Sequence, residues 1–471
     1  MLEIKDILEA THGKLLAEGE SRFSGLSIDS RTIRAGELFL ALKGERFDGH
    51  DFVDASLKTA AGALVSRQWA ESCPLLNKGK TLIAVDDTLS ALHDIARFIR
   101  RKFEGPVIAV VGSNGKTTTK ELISSILGTR FEVLKTEGNL NNHVGMPLCI
   151  ARISDMTEAM VLEMGTNRPG DVDLLCRIAS PDIGVVTNIG FEHLEGFGSL
   201  DAVRDAELEI LPYVKKIVLN GDDDFLIGGV SLKFNGPLVT FGLDSMERDV
   251  TARDITASEN GTEFILSVAG ESILISSRLS GRFNVRNSLA ACAVAHTLGI
   301  GIEKIKLGLE AFGGVGMRFE IRKLAGVTYL YDVYNANPSS MKASLLELST
   351  MTGGPEKTGQ GKTVAVLGDM LELGDFSIHA HREIGRMLIE LHVDQFIGVG
   401  PLMVDAVSIF SQSGRPGTSK GNAEDAGIEL AGLVRDGDVV LIKGSRGMKM
   451  EKAMEPIVSA ARNNASEKGR I

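Results

Sequence analysis

The chain has 471 residues, of which 43% are hydrophobic and 24% charged, and its formal net charge is −11 at pH 7. That length predicts about three domains at about 150 residues each, with the composition of a well-cored soluble protein. No apolar run approaches the about 18 residues of a membrane span, Met1 to Asp6 is no signal peptide, and the lack of a basic tract argues against nucleic acid as the main partner. Cys73, Cys149, Cys176 and Cys292 are scattered without a metal-type pair, so they are expected to be reduced thiols, mostly buried, in a cytoplasmic protein.

In chain order, residues 1–82 read as a small α/β unit with strands at 38–42 and 63–65. A central domain over 83–316 opens with a helix rich in Ala, Leu and Arg. Strands are expected at 107–111, 159–163, 183–187 and 216–219, then helices at 287–298 and 302–312. Gly313-Gly314-Val315-Gly316 marks a hinge. A third domain over 317–471 carries strands at 328–331, 363–367, 395–399 and 439–442. Its segments 352–361 and 411–420 read as loops, and the polar tail after Ala461 is expected to fray. Strands alternating with helices predict the α/β class: a small first domain, a central P-loop-type domain with a mostly parallel sheet, and a Rossmann-like third domain.

The densest signal is Gly112-Ser113-Asn114-Gly115-Lys116-Thr117-Thr118-Thr119, between the apolar run 107–111 and a helix expected at 120–127. Backbone N–H groups in such a turn wrap a polyphosphate, and the positive end of the helix adds to the attraction. Lys116 would reach the outer phosphates, and the Thr117 hydroxyl would ligate Mg²⁺. The general P-loop pattern places Gly where this chain has Val110; the compressed form points to a narrower group of ATP users. The strand at 159–163 delivers Glu163 at its carboxyl end, and His193 lies in the loop beyond the strand at 183–187. At the ligand edge of a parallel sheet both are candidate ligands of a divalent cation, with phosphate and water completing the shell.

These features, with Tyr334-Asn335-Ala336-Asn337-Pro338, Leu367-Gly368-Asp369-Met370-Leu371-Glu372-Leu373-Gly374 and the run from Val440 to Lys449, resemble the Mur ligases over essentially the whole chain. That family forms amide bonds with ATP in bacterial cell-wall (peptidoglycan) precursor synthesis. The last three motifs resemble the branch that joins D-alanyl-D-alanine to UDP-N-acetylmuramoyl-tripeptide. The resemblance implies attack of the tripeptide carboxylate on the γ-phosphate, an acyl phosphate, and then attack by the dipeptide amine. Lys116, Glu163, His193 and Arg318 become the catalytic candidates. Residues 112–119 would cradle the phosphates, Asn284 and Asn287 would contact adenine, and Arg318 and Asp332 would close onto the γ-phosphate and ribose. Phe283 stands where the family usually has His. Outside that context the two asparagines read as a helix cap.

By the same resemblance, Ser30 and Arg31 in the first domain would meet the UDP end, although Asp29-Ser30-Arg31 reads equally well as a solvated turn. Thr136, Asn139, Asn141 and Asn142 match the loop that holds the muramoyl-peptide. Asn335, Asn337, Ser339, Lys443, Ser445 and Arg446 are the candidates for the dipeptide site. One departure stands out. A lysine that the family usually carbamylates, to hold a second Mg²⁺, falls at Glu207. Glu207 reads either as a substitute metal-site carboxylate, acting through a water, or as a plain helix residue. A monomer with small-molecule substrates is expected. The rival readings are another Mur-type amide ligase with a different amine acceptor, against which Tyr334-Asn335-Ala336-Asn337-Pro338 argues, and a P-loop hydrolase or kinase, which leaves the third-domain motifs without a role.

Overall fold

The computed structural model describes residues 2–72, 79–258, 261–351 and 361–468. Among them the strands form sheets of two, five, six and nine strands. The five-stranded sheet belongs to the first domain and runs Lys14–Ala17, Thr81–Val85, Gly62–Ser66, Glu37–Leu40, Gly25–Ser27. Its pairings are parallel except at Lys14–Ala17. The boundary expected at 82 falls inside Thr81–Val85, a fully buried strand of this sheet. The helix Thr88–Lys102 follows, with Asp87 capping it through the Ser90 N–H at 2.7 Å. It sends Ala91, Leu92 and Ile95 into the first-domain core and Ala96 into the central core, so it belongs to both.

The nine-stranded sheet carries the site. Its order is Val133–Lys135, Ala159–Glu163, Val107–Val111, Ile183–Val186, Lys216–Asn220, Leu238–Gly242, Val250–Ser258, Gly261–Val268, Glu271–Ser277. The pairings are parallel as far as Val250–Ser258, and the last two are antiparallel. Every residue of Val107–Val111 is buried, as a strand covered on both faces requires, and this is why it reads as an unbroken apolar run. It lies between Ala159–Glu163 and Ile183–Val186, in register Val110 with Glu163 and Val111 with Val186. Three chain segments therefore leave the sheet side by side at one edge, at Gly112, Met164 and Thr187. The helix after the glycine turn starts at Lys116, not at residue 120, because Gly115 at φ +82° serves as its N-cap. It packs under Arg282–Thr297, whose Ala290, Ala291 and Ala293 are fully buried small residues that permit close approach.

The third domain has the order Glu320–Leu324, Val327–Asp332, Val439–Lys443, Thr363–Gly368, Gln395–Val399, Gly417–Lys420, parallel apart from the first pair. The segment 411–420 is thus not wholly loop: its end is an edge strand, hidden in the sequence because it carries no apolar run. Of the other expected loop, residues 352–360 lie outside the described residues. The polar tail continues the helix Met454–Lys468, and 469–471 lie outside the described residues. Cys149, Cys176 and Cys292 are free and buried, and burial pushes the Cys149 thiol up to about 11; Cys73 lies outside the described residues. No helix among the described residues is long and apolar enough to cross a membrane.

Candidate active site

A cavity of about 650 Å³ opens between the carboxyl edge of the central sheet and the third domain. The glycine turn forms its floor. Gly112 has φ +115° and Gly115 φ +82°, a region open to glycine but strained for other residues. Neighbours lock the turn in place. The Asn114 N–H donates to Asn188 Oδ1 at 3.1 Å, Thr187 Oγ1 donates to the Asn114 carbonyl at 2.7 Å, and Ser113 Oγ exchanges hydrogen bonds with the backbone of Gly190. The N-terminus of Lys116–Leu127 faces the cavity through Lys116, Thr117 and Thr118, whereas Thr119 is fully buried. Such an end attracts anions.

Lys116 Nζ donates to the Gly112 carbonyl at 2.5 Å and lies 3.7 Å from Glu192 Oε2. Burial pushes the lysine's pKa down, but Glu192, Glu207 and Glu163 together outweigh that and hold it above the ordinary value. Burial drives Glu192 up to about 8, against the pull of Lys116. Arg318, from the third domain, donates from Nη2 to Thr117 Oγ1 at 3.0 Å, and its guanidinium lies 4.0 Å from the centre of the Tyr334 ring.

Glu163 is held in a way that suits a cation ligand. Its Oε1 accepts from Asn141 Nδ2 at 2.9 Å, while its buried Oε2 has no hydrogen-bond partner. Lys120 Nζ stands 3.9 Å from that oxygen. Among the described residues no three His, Cys, Asp or Glu side chains converge into a ready cage. Mg²⁺ does not require one, since it is commonly held by one or two protein groups with phosphate and water. Thr117, Glu163 and His193 all line the cavity, and the unpartnered Glu163 oxygen fits such a role. Glu207 does not line it. It is fully buried beneath the turn, where Oε2 accepts the Gly112 N–H at 2.8 Å and the carboxyl group meets that of Glu192. Burial raises its pKa.

Asn284 and Asn287 line the cavity from the first turns of Arg282–Thr297, and Asn287 Nδ2 donates to Asn284 Oδ1 at 3.1 Å. Phe283 and Phe319 meet edge to face beside them, with centroids 4.9 Å apart. Asp332 is well occupied: Oδ2 accepts from Lys443 Nζ at 2.5 Å and Ser344 Oγ at 2.8 Å, and Oδ1 accepts the Phe319 N–H at 3.3 Å. Asn335, Asn337 and Lys443 line the third-domain wall, and Asn139, Asn141 and Asn142 the opposite one. Asn142 Oδ1 also accepts the Gly145 N–H at 2.8 Å, at the start of the helix Gly145–Ile150.

Other predicted residues lie elsewhere. Ser30 and Arg31 are outside the cavity, and Arg31 is paired with Asp29 at 2.7 Å. Thr136 is fully buried, with its hydroxyl taken by the Glu163 N–H at 2.9 Å. Ser445 bridges the Ala336 carbonyl and the Leu371 N–H, which holds the third-domain loops together. Ser339 packs towards Gly190, and exposed Arg446 pairs with Glu451 at 3.0 Å. Glu192 and Lys120 were not anticipated. For Glu192 the available signal was its place beside His193 in a loop leaving the same sheet edge.

Three family models match: the Mur ligase family catalytic domain over 22–100, the Mur ligase middle domain over 110–295, and the Mur ligase glutamate ligase domain over 317–446. The chain is 36% identical to the UDP-N-acetylmuramoyl-tripeptide–D-alanyl-D-alanine ligase of Bacillus subtilis, across 97% of this chain and 98% of that protein. It is 33% identical to the enzyme of the same name from Escherichia coli, across 98% of each. Among solved structures it resembles MurF from Acinetobacter baumannii (TM-score 0.87, 30% identity, 97% of this chain and 98% of that one). It also resembles the MurF ligase of Thermotoga maritima in complex with ADP (TM-score 0.81, 30% identity, 93% and 98%).

Proposed function

Since the chain belongs to the Mur ligase family, we propose that it is the ATP-dependent amide ligase that adds D-alanyl-D-alanine to UDP-N-acetylmuramoyl-tripeptide. The observation that carries this reading is the single cavity in which the glycine turn and Glu163 of one domain meet Arg318, Asn335 and Lys443 of another. A carboxylate becomes an electrophile only when one of its oxygens turns into a good leaving group. A tripeptide carboxylate oxygen attacks the γ-phosphorus of ATP, ADP departs, and an acyl phosphate forms. The dipeptide amine then attacks the acyl carbon, loses a proton, and phosphate leaves from the tetrahedral intermediate. The protein's part is alignment and charge neutralisation.

Lys116, the turn's N–H groups and Arg318 are the residues placed to meet phosphate charge. Thr117, Glu163 and His193 would hold Mg²⁺, which supplies further neutralisation of the phosphates. Asn284 and Asn287 offer donor and acceptor atoms for a base edge. Asn139, Asn141 and Asn142 are assigned to the muramoyl-peptide, and Asn335, Asn337 and Lys443 to the dipeptide. Ser30 and Arg31 remain assigned to the UDP end, and Arg446 to the dipeptide carboxylate. A cytoplasmic monomer completes the proposal.

The test is ADP release from ATP with UDP-N-acetylmuramoyl-tripeptide, with and without D-alanyl-D-alanine. Release that needs both substrates, with the pentapeptide found by mass spectrometry, supports the reading; release with ATP alone contradicts it. Arg446→Ala is expected to raise the dipeptide concentration needed for half-maximal rate, and an unchanged value removes Arg446 from the site.

A further inference from the structure

His193 is not held by its own domain alone. Its Nδ1 lies 2.6 Å from Glu372 Oε2, a side chain of the third domain. The backbones are tied as well, with the Glu195 N–H donating to the Glu372 carbonyl at 3.2 Å. Two residues on, Gly374 adopts φ +53°, and a Cβ there would stand 3.4 Å from Glu195 Cα. Phe376 stacks on Phe191 with centroids 5.0 Å apart and packs against the small core of Leu194, Phe197, Val203 and Ala206. The segment 372–376 is therefore seated along the loop that carries His193. Both His193, at φ +46°, and Glu372, at φ +65°, have left-handed backbones that non-glycine residues keep only when their surroundings enforce it.

We propose that Glu372 is a positioning residue that orients His193 for the metal–phosphate site, and that it does so only while the third domain is docked. The inference rests on the ligase reading above. A neutral imidazole whose Nδ1–H is bonded to a carboxylate offers Nε2 as its acceptor, and such carboxylate partners fix the ring and raise its basicity as a ligand. Here the partner comes from the third domain, whereas His193 belongs to the central one. Cation binding at Thr117, Glu163 and His193 is thereby coupled to closure, because undocking the third domain releases the ring. Glu372 itself is 60% exposed at its side chain, so replacing it leaves the domain cores intact.

The test is Mn²⁺ binding to the full chain in the presence of ADP, followed by electron paramagnetic resonance, for wild type, Glu372→Ala, Glu372→Gln, His193→Ala and the His193→Ala/Glu372→Ala double variant. Glu372→Ala is expected to weaken Mn²⁺ by about tenfold or more. Glu372→Gln restores most of the affinity, because its carbonyl oxygen still accepts from Nδ1–H. Glu372→Ala adds no further loss once His193 is gone. Wild-type affinity in Glu372→Ala, or a full additional loss in the double variant, overturns the inference while the ligase reading stands. Failure of the wild type to bind Mn²⁺ with ADP overturns the inference and the proposed metal site together.

Discussion

Lys116 is surrounded by carboxylates, with Glu192 at 3.7 Å and Glu207 and Glu163 adding to its field. A cation held charged by buried acids is positioned to turn towards a phosphate without first being ionised. Lys116→Ala is expected to cut ADP release by at least about 10²–10³-fold, the usual cost of losing one main charge-stabilising group; near-normal turnover would remove it from the reaction. Glu207 supports the same turn from beneath. Glu207→Ala leaves the buried Gly112 N–H unpaired, at a cost of about 1–3 kcal/mol in urea unfolding, while Glu207→Gln keeps an acceptor there. Because position 207 offers no lysine amine for CO₂ to carbamylate, activity is predicted to survive in CO₂-stripped buffer; a sharp fall reversed by bicarbonate contradicts this. Lys116, Thr117 and Glu163 were legible in the sequence because a glycine turn and a strand end dictate where their side chains go. Glu192 and Glu372 were not, since each sits in a loop whose path depends on packing against another element.

At the scale of elements, the glycine turn and the helix Arg282–Thr297 are fitted to one another. A Cβ at Gly115 would stand 2.4 Å from Asn287 Oδ1, and the backbone there has φ +82°. Gly115→Ala therefore meets both a collision and a left-handed backbone costing about 1–2 kcal/mol. A lower melting temperature and weaker ADP binding by calorimetry are expected, and wild-type values in both would contradict the fit. The buried parallel strands could be read directly, because burial on both faces demands unbroken apolar runs such as Val107–Val111. The antiparallel strands over 250–277 passed unread. Gly261–Val268 alternates buried and half-buried positions over much of its length, a weaker signal than an apolar run. The edge strand Gly417–Lys420 has no fully buried residue, and its residues resemble those of a loop.

Across the whole molecule, the central and third domains meet through a few specific contacts around the cavity. Asn337 Nδ2 donates to Asn114 Oδ1 at 2.9 Å, Arg318 reaches Thr117 at 3.0 Å, and the Arg282 N–H donates to Glu347 at 2.6 Å. The three-domain α/β plan was legible from motif order and strand–helix alternation. The family resemblance implied that Arg318 and Asp332 would close over the nucleotide, but the particular contacts were not legible, because they join residues up to 223 positions apart. The central claim is that these domains bring a carboxylate to the γ-phosphate and then hand the activated acid to an amine. It is tested most directly with UDP-N-acetylmuramoyl-tripeptide labelled with ¹⁸O in its reacting carboxylate. The account predicts inorganic phosphate carrying one ¹⁸O, formed together with the pentapeptide and only when D-alanyl-D-alanine is present. Unlabelled phosphate accompanying pentapeptide formation would contradict it.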